Sequence, residues 1–497
     1  MGLSIKKNLP EIVFGSSNKA ESQRISRGIR AGDLRKLIPR IYTSNLVDSN
    51  ETIVKRNLYP ILGKLFPGAL LSHRSALEGG PTETGHIFLT YKYSKRVCLP
   101  GFTIHLLKGV APLEDDMPFV EGMFLSSPHR AFMENLQISR SRSSAPKVLA
   151  KEEIENRLDQ ICGIKGTKAM NQLRDKAREV SQVLNMENQF QKLNNIIAAL
   201  LRTRPSCELS SAQARATSLG VPYDPVRLDC FNQLFSALTQ SQLPAREQKV
   251  LSQEEIRTLA FLDAYFSNYI EGTEFEISEA YDIIYNNKVP VKRPEDAHDI
   301  LGTFRLASNH QEMDKVPETF DQFVDLLKSR HFAVMEARPA KLPGEFKDKP
   351  NRAGDTHFVT PELVSGTLLK GFEMSRAVQN GIKRAIFIMF LIAEVHPFVD
   401  GNGRIARIMM NSELIHSGLC CIIIPTVFRD DYLLALRALS RSNNAAPLIK
   451  ALDFAQKFSS KLDYSSYSAA SSILESCNAF NEPQSDSRLV LPGAISS

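Results

Sequence analysis

His396-Pro397-Phe398-Val399-Asp400-Gly401-Asn402-Gly403-Arg404-Ile405-Ala406-Arg407 brings an imidazole, a carboxylate, two glycines around an amide and two guanidiniums into one short stretch. An apolar run, Ala385 to Val395, leads into it, and another, Ile405 to Leu414, follows. Both runs predict helices, so the stretch is read as the turn between two core helices. Gly401 and Gly403 carry no Cβ, and their backbone can turn left-handed and approach a ligand closely. A glycine-rich turn opening a helix aims several N–H groups at one point, where the helix dipole adds positive potential. Arg404 and Arg407, three apart, reach the same side of that helix. Guanidiniums above an amide nest suit a polyphosphate, which arginine grips as a bidentate fork. Asp400 would repel phosphate unless a divalent cation stood between them, and Mg²⁺ commonly joins a carboxylate to substrate phosphates in this way. His396 titrates near neutrality and can take a proton from an attacking hydroxyl. The parts sum to nucleotidyl or phosphoryl transfer to a hydroxyl. The plainer alternative is a helix–turn–helix junction with solvated charges. It explains the glycines but not the joint occurrence of base, metal ligand, nest and clamp. The stretch is neither a Walker A loop nor G-x-G-x-x-G.

The same residues carry a resemblance. His396-x-Phe398-x-Asp400-Gly401-Asn402-Gly403-Arg404-x-x-Arg407 resembles, with no departure, the signature H-x-F-x-[D/E]-G-N-G-R-x-x-R of the Fic (filamentation induced by cAMP) family. The resemblance implies a helical enzyme that transfers AMP from ATP to a Ser, Thr or Tyr hydroxyl of a protein, with auto-modification included. It assigns His396 as general base and Asp400 as the Mg²⁺ ligand. Asn402 and the Gly401 and Gly403 amides would hold the α- and β-phosphates, and Arg404 and Arg407 would neutralise the departing pyrophosphate.

The 497 residues suffice for roughly two to four domains. The formal charge of +6 is modest for this length and does not by itself argue for nucleic acid. Seven scattered cysteines, with no C-x-x-C, fit a reducing compartment and exclude a disulfide framework or zinc site as the organising feature. No apolar leader is visible at Met1–Lys7, and the run Ala385–Val395 is too short to span a bilayer, so a cytoplasmic protein without membrane contact is expected.

The first 40 residues carry nine Lys/Arg (Lys6, Lys7, Lys19, Arg24, Arg27, Arg30, Arg35, Lys36, Arg40) against Glu11, Glu21 and Asp33. Ala20 to Ile38 is read as a short helical pair broken at Gly32-Asp33, and Ile41-Tyr42-Thr43 as a strand. Two readings stay open: a winged-helix-like unit whose arginines face DNA phosphates, and a solvated basic surface. Val54–Leu65 reads as a helix. Gly68–Ser72, Ile87–Tyr91, Arg96–Leu99 and Phe102–Leu107 read as turns and strands, which makes residues 1–115 a small α+β module. His73-Arg74-Ser75-Ala76-Leu77 and the strands after it loosely resemble the antitoxin-like regulator domains of abortive-infection systems. His73, His86 and His105 lack metal-ligand spacing. Helices at 130–137, 151–162, 168–184 and 188–201, with a polar loop at 139–146, give a helical bridging region over 116–205, followed by a linker and helix over 206–250.

Ser252 with Glu255 three residues on is a capping box. The helix it opens runs over 252–271 and stops at Gly272, so on composition alone its end is a helix terminus with a C′ glycine. Ser267 and Glu271 lie four apart on one face. Beside the signature above, Ser267-x-x-x-Glu271-Gly272 resembles the inhibitory motif [S/T]-x-x-x-E-[G/N] of the class with an N-terminal inhibitory helix. That resemblance implies that Glu271 pairs with Arg407, takes the guanidinium meant for the γ-phosphate, and leaves ATP a non-productive pose. It further implies a β-hairpin flap over 344–359, from Gly344-Glu345-Phe346-Lys347 through His357-Phe358-Val359, that holds a target protein by backbone pairing. Tyr432 is placed either near the adenine or in the core. Phe398 is read as an anchor under the loop. The expected architecture is mainly α: a helical Fic core at 251–455 with a flap, preceded by the α+β module and bridging region, and followed by a helical, then mobile, tail at 456–497. A homodimer is left open. Rival functions are another Fic chemistry (phosphotransfer, another nucleotide, or removal of AMP) and a DNA-binding toxin–antitoxin-type regulator carrying the Fic arm.

Overall fold

The computed structural model describes residues 9–138, 145–203, 209–378, 381–483 and 487–493. The chain divides into two compact units, Met1–Leu219 and Gly220–Ser497. Most of the polar loop expected at 139–146 lies outside the described residues.

In the first unit, β1 (Ile12–Phe14), α1 (Lys19–Arg30), β2 (Arg35–Ile38) and β3 (Ile41–Thr43) give one helix and a three-stranded antiparallel sheet of order β1-β3-β2. The second half of the expected helical pair is therefore a strand. Gly32, at φ +76°, turns the chain after α1. Buried Leu37 between exposed Lys36 and half-buried Ile38 then follows the two-residue period of a pleat. Two short helices, α2 (Asn50–Arg56) and α3 (Leu58–Leu65), replace the single helix expected over 54–65. A six-stranded mixed sheet of order β6-β7-β5-β4-β9-β8 follows, built from β4 (Leu70–Leu71), β5 (His86–Tyr91), β6 (Lys95–Leu99), β7 (Phe102–Lys108), β8 (Met117–Pro118) and β9 (Phe124–Leu125), with α4 (His73–Glu78) after β4. Ile53, Ile61, Leu71, Leu89, Ile104 and their neighbours form its core. The histidines do not gather into a metal cluster: His86 Nδ1 and His105 Nε2 bond each other at 2.9 Å, and His73 is buried. Helices α5 (Pro128–Asn135), α6 (Lys151–Ser181), α7 (Glu187–Leu200) and α8 (Ala212–Leu219) share a separate core. Gly166, at φ +72°, interrupts α6 where the sequence reads as two helices.

The second unit is helical: α9 (Pro225–Gln240), α10 (Gln253–Ile270), α11 (Ile277–Asn286), α12 (Pro294–Ala307), α13 (His310–Met313), α14 (Phe320–Met335), α15 (Pro361–Arg376), α16 (Gly381–Val395), α17 (Asn402–His416), α18 (Arg429–Ser442), α19 (Ala446–Ser459) and α20 (Tyr467–Ser476). α16 is apolar nearly all round and buried from Ala385 to Ile392, as a central helix must be. It packs along α17, so the turn between them is held at both ends by the core. The capping box at Ser252 and Glu255 forms and opens α10.

The flap is a small hairpin, β10 (Arg352–Ala353) against β11 (Thr356–His357), paired Arg352 with His357 and Ala353 with Thr356. Its first arm is shorter than expected. Residues 344–347 are loop, because Lys347 N–H donates to Pro397 O (2.9 Å) instead of to a partner strand. The tail is also corrected. Ala479 is fully buried, Phe480 stacks on Phe266 with ring centroids 5.5 Å apart, and Tyr269 Oη donates to Glu482 (2.7 Å). Apolar side chains after Asp463 found a surface on α10 to cover, so the segment packs there. No helix among the described residues is long and apolar enough to cross a membrane.

Candidate active site around the turn between α16 and α17

Pro397 cannot extend α16, and His396 leaves the helix at φ +53°, its N–H still bonded to Ile392 O (2.9 Å). The imidazole faces the loop that follows. His396 Nδ1 lies 3.2 Å from Ala393 O and therefore carries the hydrogen, which leaves Nε2 as the proton acceptor. Burial lowers the imidazole to about 4, against the opposing pull of the Ala393 carbonyl and of Glu271, so the ring is neutral at pH 7. That is the protonation state a general base requires.

Asn402 stitches the loop. Its Oδ1 accepts from Phe398 N (2.8 Å) and its Nδ2 donates to Phe398 O (2.9 Å). The amide expected to hold phosphate is thus spent on the loop's own backbone, and the residue is 1% exposed. Gly401 sits at φ +74° as the N-cap of α17, and a Cβ there would meet Met335 Sδ at 2.9 Å. Phe398 is fully buried, with the His331 ring parallel to it at 3.7 Å. His331 was not visible as a site residue. Its Nδ1 accepts from Gly344 N (2.9 Å) and its Nε2–H donates to Asp400 O (3.0 Å), tying the loop before the flap to the signature turn.

Asp400 is more than a third exposed. Its Oδ1 accepts from Gly401 N (2.7 Å), and its other oxygen lies 3.2 Å from Lys341 Nζ. Burial pushes this carboxyl up, but the Gly401 N–H, Arg404 and Lys341 outweigh it and hold it below the usual range. Among the described residues no three His, Cys, Asp or Glu side chains gather as a metal cage. A single accessible carboxylate fits a Mg²⁺ shared with substrate phosphates.

The two arginines have different surroundings. Arg404, 3% exposed, pairs with Asp299 and reaches Asn268 Oδ1 at 3.3 Å, while its Nε finds no acceptor. It is an anchored cation whose buried Nε still lacks an acceptor and whose second terminal nitrogen lies 3.7 Å from Asp400, not a free clamp. Asp299 is fully buried and also receives Arg338 Nε at 2.9 Å. Neither Asp299 nor Arg338 was legible in the sequence, because both lie far from the signature and only α12 and the end of α14 carry them to it. Replacing Asp299 by alanine leaves two guanidiniums short of their common acceptor, an uncompensated buried charge that costs about 3–5 kcal/mol. Denaturant unfolding of the full chain is expected to show a matching drop. An unchanged midpoint would mean that Arg404 does not depend on this acid.

Arg407, 3% exposed, donates from Nε to Ser267 Oγ (2.9 Å) and from one terminal nitrogen to Ser267 O (2.8 Å) and Glu271 Oε1 (2.7 Å). Ser267 O is one of the last carbonyls of α10 and lacks a helical partner, so a cation there satisfies the helix end. Glu271 caps α10, and Gly272 follows at φ +87°. A Cβ on Gly403 would come within 2.1 Å of Glu271 Oε1. The Glu271 carboxylate thus lies against the first turn of α17, in the amide nest read from the glycines. Burial pushes this carboxyl up, but Arg407 and Arg404 outweigh it, and the group stays ionised. Tyr432 is 2% exposed, its hydroxyl 3.3 Å from Met389 Sδ and its phenol against Arg407. Of the two places open to it, the core is the one it takes, and it offers no ring face to a nucleotide.

Residues 320–414 match the model of the Fic/DOC family. The protein adenylyltransferase fic-1 of Caenorhabditis briggsae is 23% identical over 273 residues, which cover 52% of this chain and 51% of that protein. A Fido domain-containing protein of Dictyostelium discoideum is 29% identical over 103 residues, or 20% of this chain and 72% of that protein. A solved Fic-domain signalling protein from Bacteroides thetaiotaomicron aligns at 18% identity and a TM-score of 0.36, covering 47% of this chain and 92% of that one. The chain spans about half the length of the curated adenylyltransferase relatives it matches first. The complete signature, at the turn between two buried helices, lies inside the segment 320–414 that matches the Fic/DOC family model.

Proposed function

We propose that the second unit transfers AMP from ATP to a hydroxyl side chain of a protein and that Glu271 holds it in an inhibited state. The observation that carries this reading is the Glu271 carboxylate itself. An anion already sits against Gly403, bonded to Arg407, where helix N–H groups and guanidiniums converge. A polyphosphate would use the same donors, and the open Nε of Arg404 is one more. His396 Nε2 would take the proton of the attacking hydroxyl. Asp400 would hold Mg²⁺ together with the phosphates, and the ion would supply charge neutralisation there. The hairpin β10–β11 offers an edge along which an extended target segment could pair. Curated relatives named protein adenylyltransferase support AMP over a different group. Incubating the full chain with α-labelled ATP, alone and in a lysate, tests this. The modified protein should gain the mass of one adenylyl group, and a different added mass would replace the reading with another Fic chemistry.

A second role, DNA binding by the first unit, is supported by one observation. Lys19, Arg24, Arg27, Arg30, Lys36 and Arg40 are exposed and have no ion-pair partner among the described residues, whereas Arg56 is paired and Arg35 is spent on Asn45, Asp48 and Asn50. On α1, Lys19, Gln23, Ser26, Arg27 and Arg30 turn away from buried Ile25. The full chain is expected to bind duplex DNA with an affinity that falls with salt by a log–log slope of about 0.9 per phosphate contact. The double variant Arg27→Glu/Arg30→Glu should abolish it. No binding at low salt would leave a solvated basic surface.

A further inference from the structure

We propose that Phe358, at the end of the flap, is a positioning residue for the catalytic base: its ring fixes the plane of the His396 imidazole and keeps water from that face, so the base is competent only while the flap is seated. This rests on His396 being the base of the proposed transfer. The Phe358 and His396 rings are parallel within 4°, their centroids 3.7 Å apart.

The imidazole needs such a contact. His331, stacked in the same way on Phe398, is fixed through both ring nitrogens. His396 is fixed through one, the 3.2 Å contact of Nδ1 with Ala393 O, because Nε2 must stay open for a hydroxyl. A torsion between tetrahedral and planar carbon is broad, and one hydrogen bond leaves the ring free to turn about it. A flat apolar face removes that freedom without occupying Nε2.

Phe358 is itself held in place. Its N–H donates to Asn351 O (3.3 Å), and Val359 beside it is 1% exposed. Arg227 binds the His357 carbonyl while pairing with Glu394 on α16, and Arg441 donates to Thr356 Oγ1 (2.9 Å). On the other side of the hairpin, Lys347 Nζ donates to His396 O (2.7 Å) and Asn351 Oδ1 (2.6 Å), and Asn351 Nδ2 donates to Phe398 O (2.9 Å). Flap and signature turn are one hydrogen-bonded unit, and the ring is delivered by it.

Three charged groups face the imidazole. Glu271 and Asp400 favour its protonation and Lys347 opposes it, yet burial outweighs them and the ring stays neutral. Phe358 is the apolar surface laid on its face, so removing that ring should rehydrate the base.

The test uses the full chain with ¹³Cε1-labelled histidine, the His396 signal being identified by its loss in His396→Ala. In the wild type this signal is expected to stay in its neutral form as pH falls through 6. In Phe358→Ala its midpoint should rise by at least about one unit toward the ordinary histidine range, and in Phe358→Tyr it should not move. In a Glu271→Gly background, Phe358→Ala should slow transfer by about tenfold with unchanged ATP affinity, the signature of a misaligned base. Phe358→Tyr should retain the parental rate. If Phe358→Ala fails to fold, Phe358→Leu keeps the bulk without the flat face and should show a smaller shift in the same direction. A folded Ala or Leu variant with an unmoved midpoint overturns the proposal. The titration involves no nucleotide, so a moved midpoint without any AMP transfer would support Phe358 and fault the proposed activity instead.

Discussion

Replacing Glu271 by glycine is expected to raise incorporation of α-labelled AMP by roughly a hundredfold, the scale of gaining one preorganised charge contact to the transferring phosphates. In the resting chain one terminal nitrogen of Arg407 is spent on Glu271 Oε1, and the carboxylate covers Gly403 at the first turn of α17. The substitution frees both while leaving the bonds of Arg407 to Ser267 intact. It also removes an acceptor from a buried guanidinium, which lowers stability without nucleotide by about 1–3 kcal/mol. Added ATP should restore more of this in the variant than in the wild type, because ligand binding to the native state stabilises it by mass action. A larger nucleotide-induced rise in melting temperature with flat transfer would mean that the assay lacks the target. Neither change would reduce Glu271 to an ordinary helix end. Acid does not substitute for the mutation. The Glu271 carboxyl is held below its ordinary value, so its contribution is fully present above the usual carboxylate range and is lost only as pH falls through the depressed value. Shifting pH between 6 and 8 should leave the pair of Glu271 with Arg407 in place.

His396→Ala is expected to remove transfer, by roughly 10²–10⁴-fold, the usual worth of a positioned general base. Nucleotide binding should survive, because the imidazole is bonded to Ala393 O and stacked on Phe358 and makes no contact with the phosphate donors. The neutral form persists down to about 4, so the rate of Glu271→Gly should not fall between pH 8 and 6 as it would for a base with an ordinary histidine value. Loss of nucleotide binding in His396→Ala, or unchanged transfer, would withdraw the assignment.

The elements that were legible were those with a strong period or a strong cap. The apolar run of α16, the capping box of α10 and the turn-bounded strands from His86 to Lys108 all follow from local pattern. The misreadings have local causes too. Arg35–Ile38 carries helix-compatible residues, but pairing with Ile41–Thr43 decides its state. The tail after Asp463 has the small, polar composition of a mobile segment, yet Phe480 and Ala479 find apolar partners. The partners of Asn402 and Arg404 were not legible, because an isolated motif shows its donors without their intramolecular acceptors. Those acceptors, the Phe398 backbone and Asp299, appear only once the chain folds.

By itself the sequence determined the chemistry on offer: an imidazole, a carboxylate, a glycine turn at the head of a helix and two arginines, all within one turn's reach because they are adjacent in the chain. Only the tertiary structure decided which of these groups are free. Arg407 meets Glu271 from a helix 136 positions earlier, Asp299 holds Arg404 from α12, and Phe358 covers His396 from the flap. The reason is physical. Local order follows from steric and hydrogen-bonding preferences a few residues long, whereas the pairing of a buried charge depends on which distant groups the core carries to within 3 Å of it.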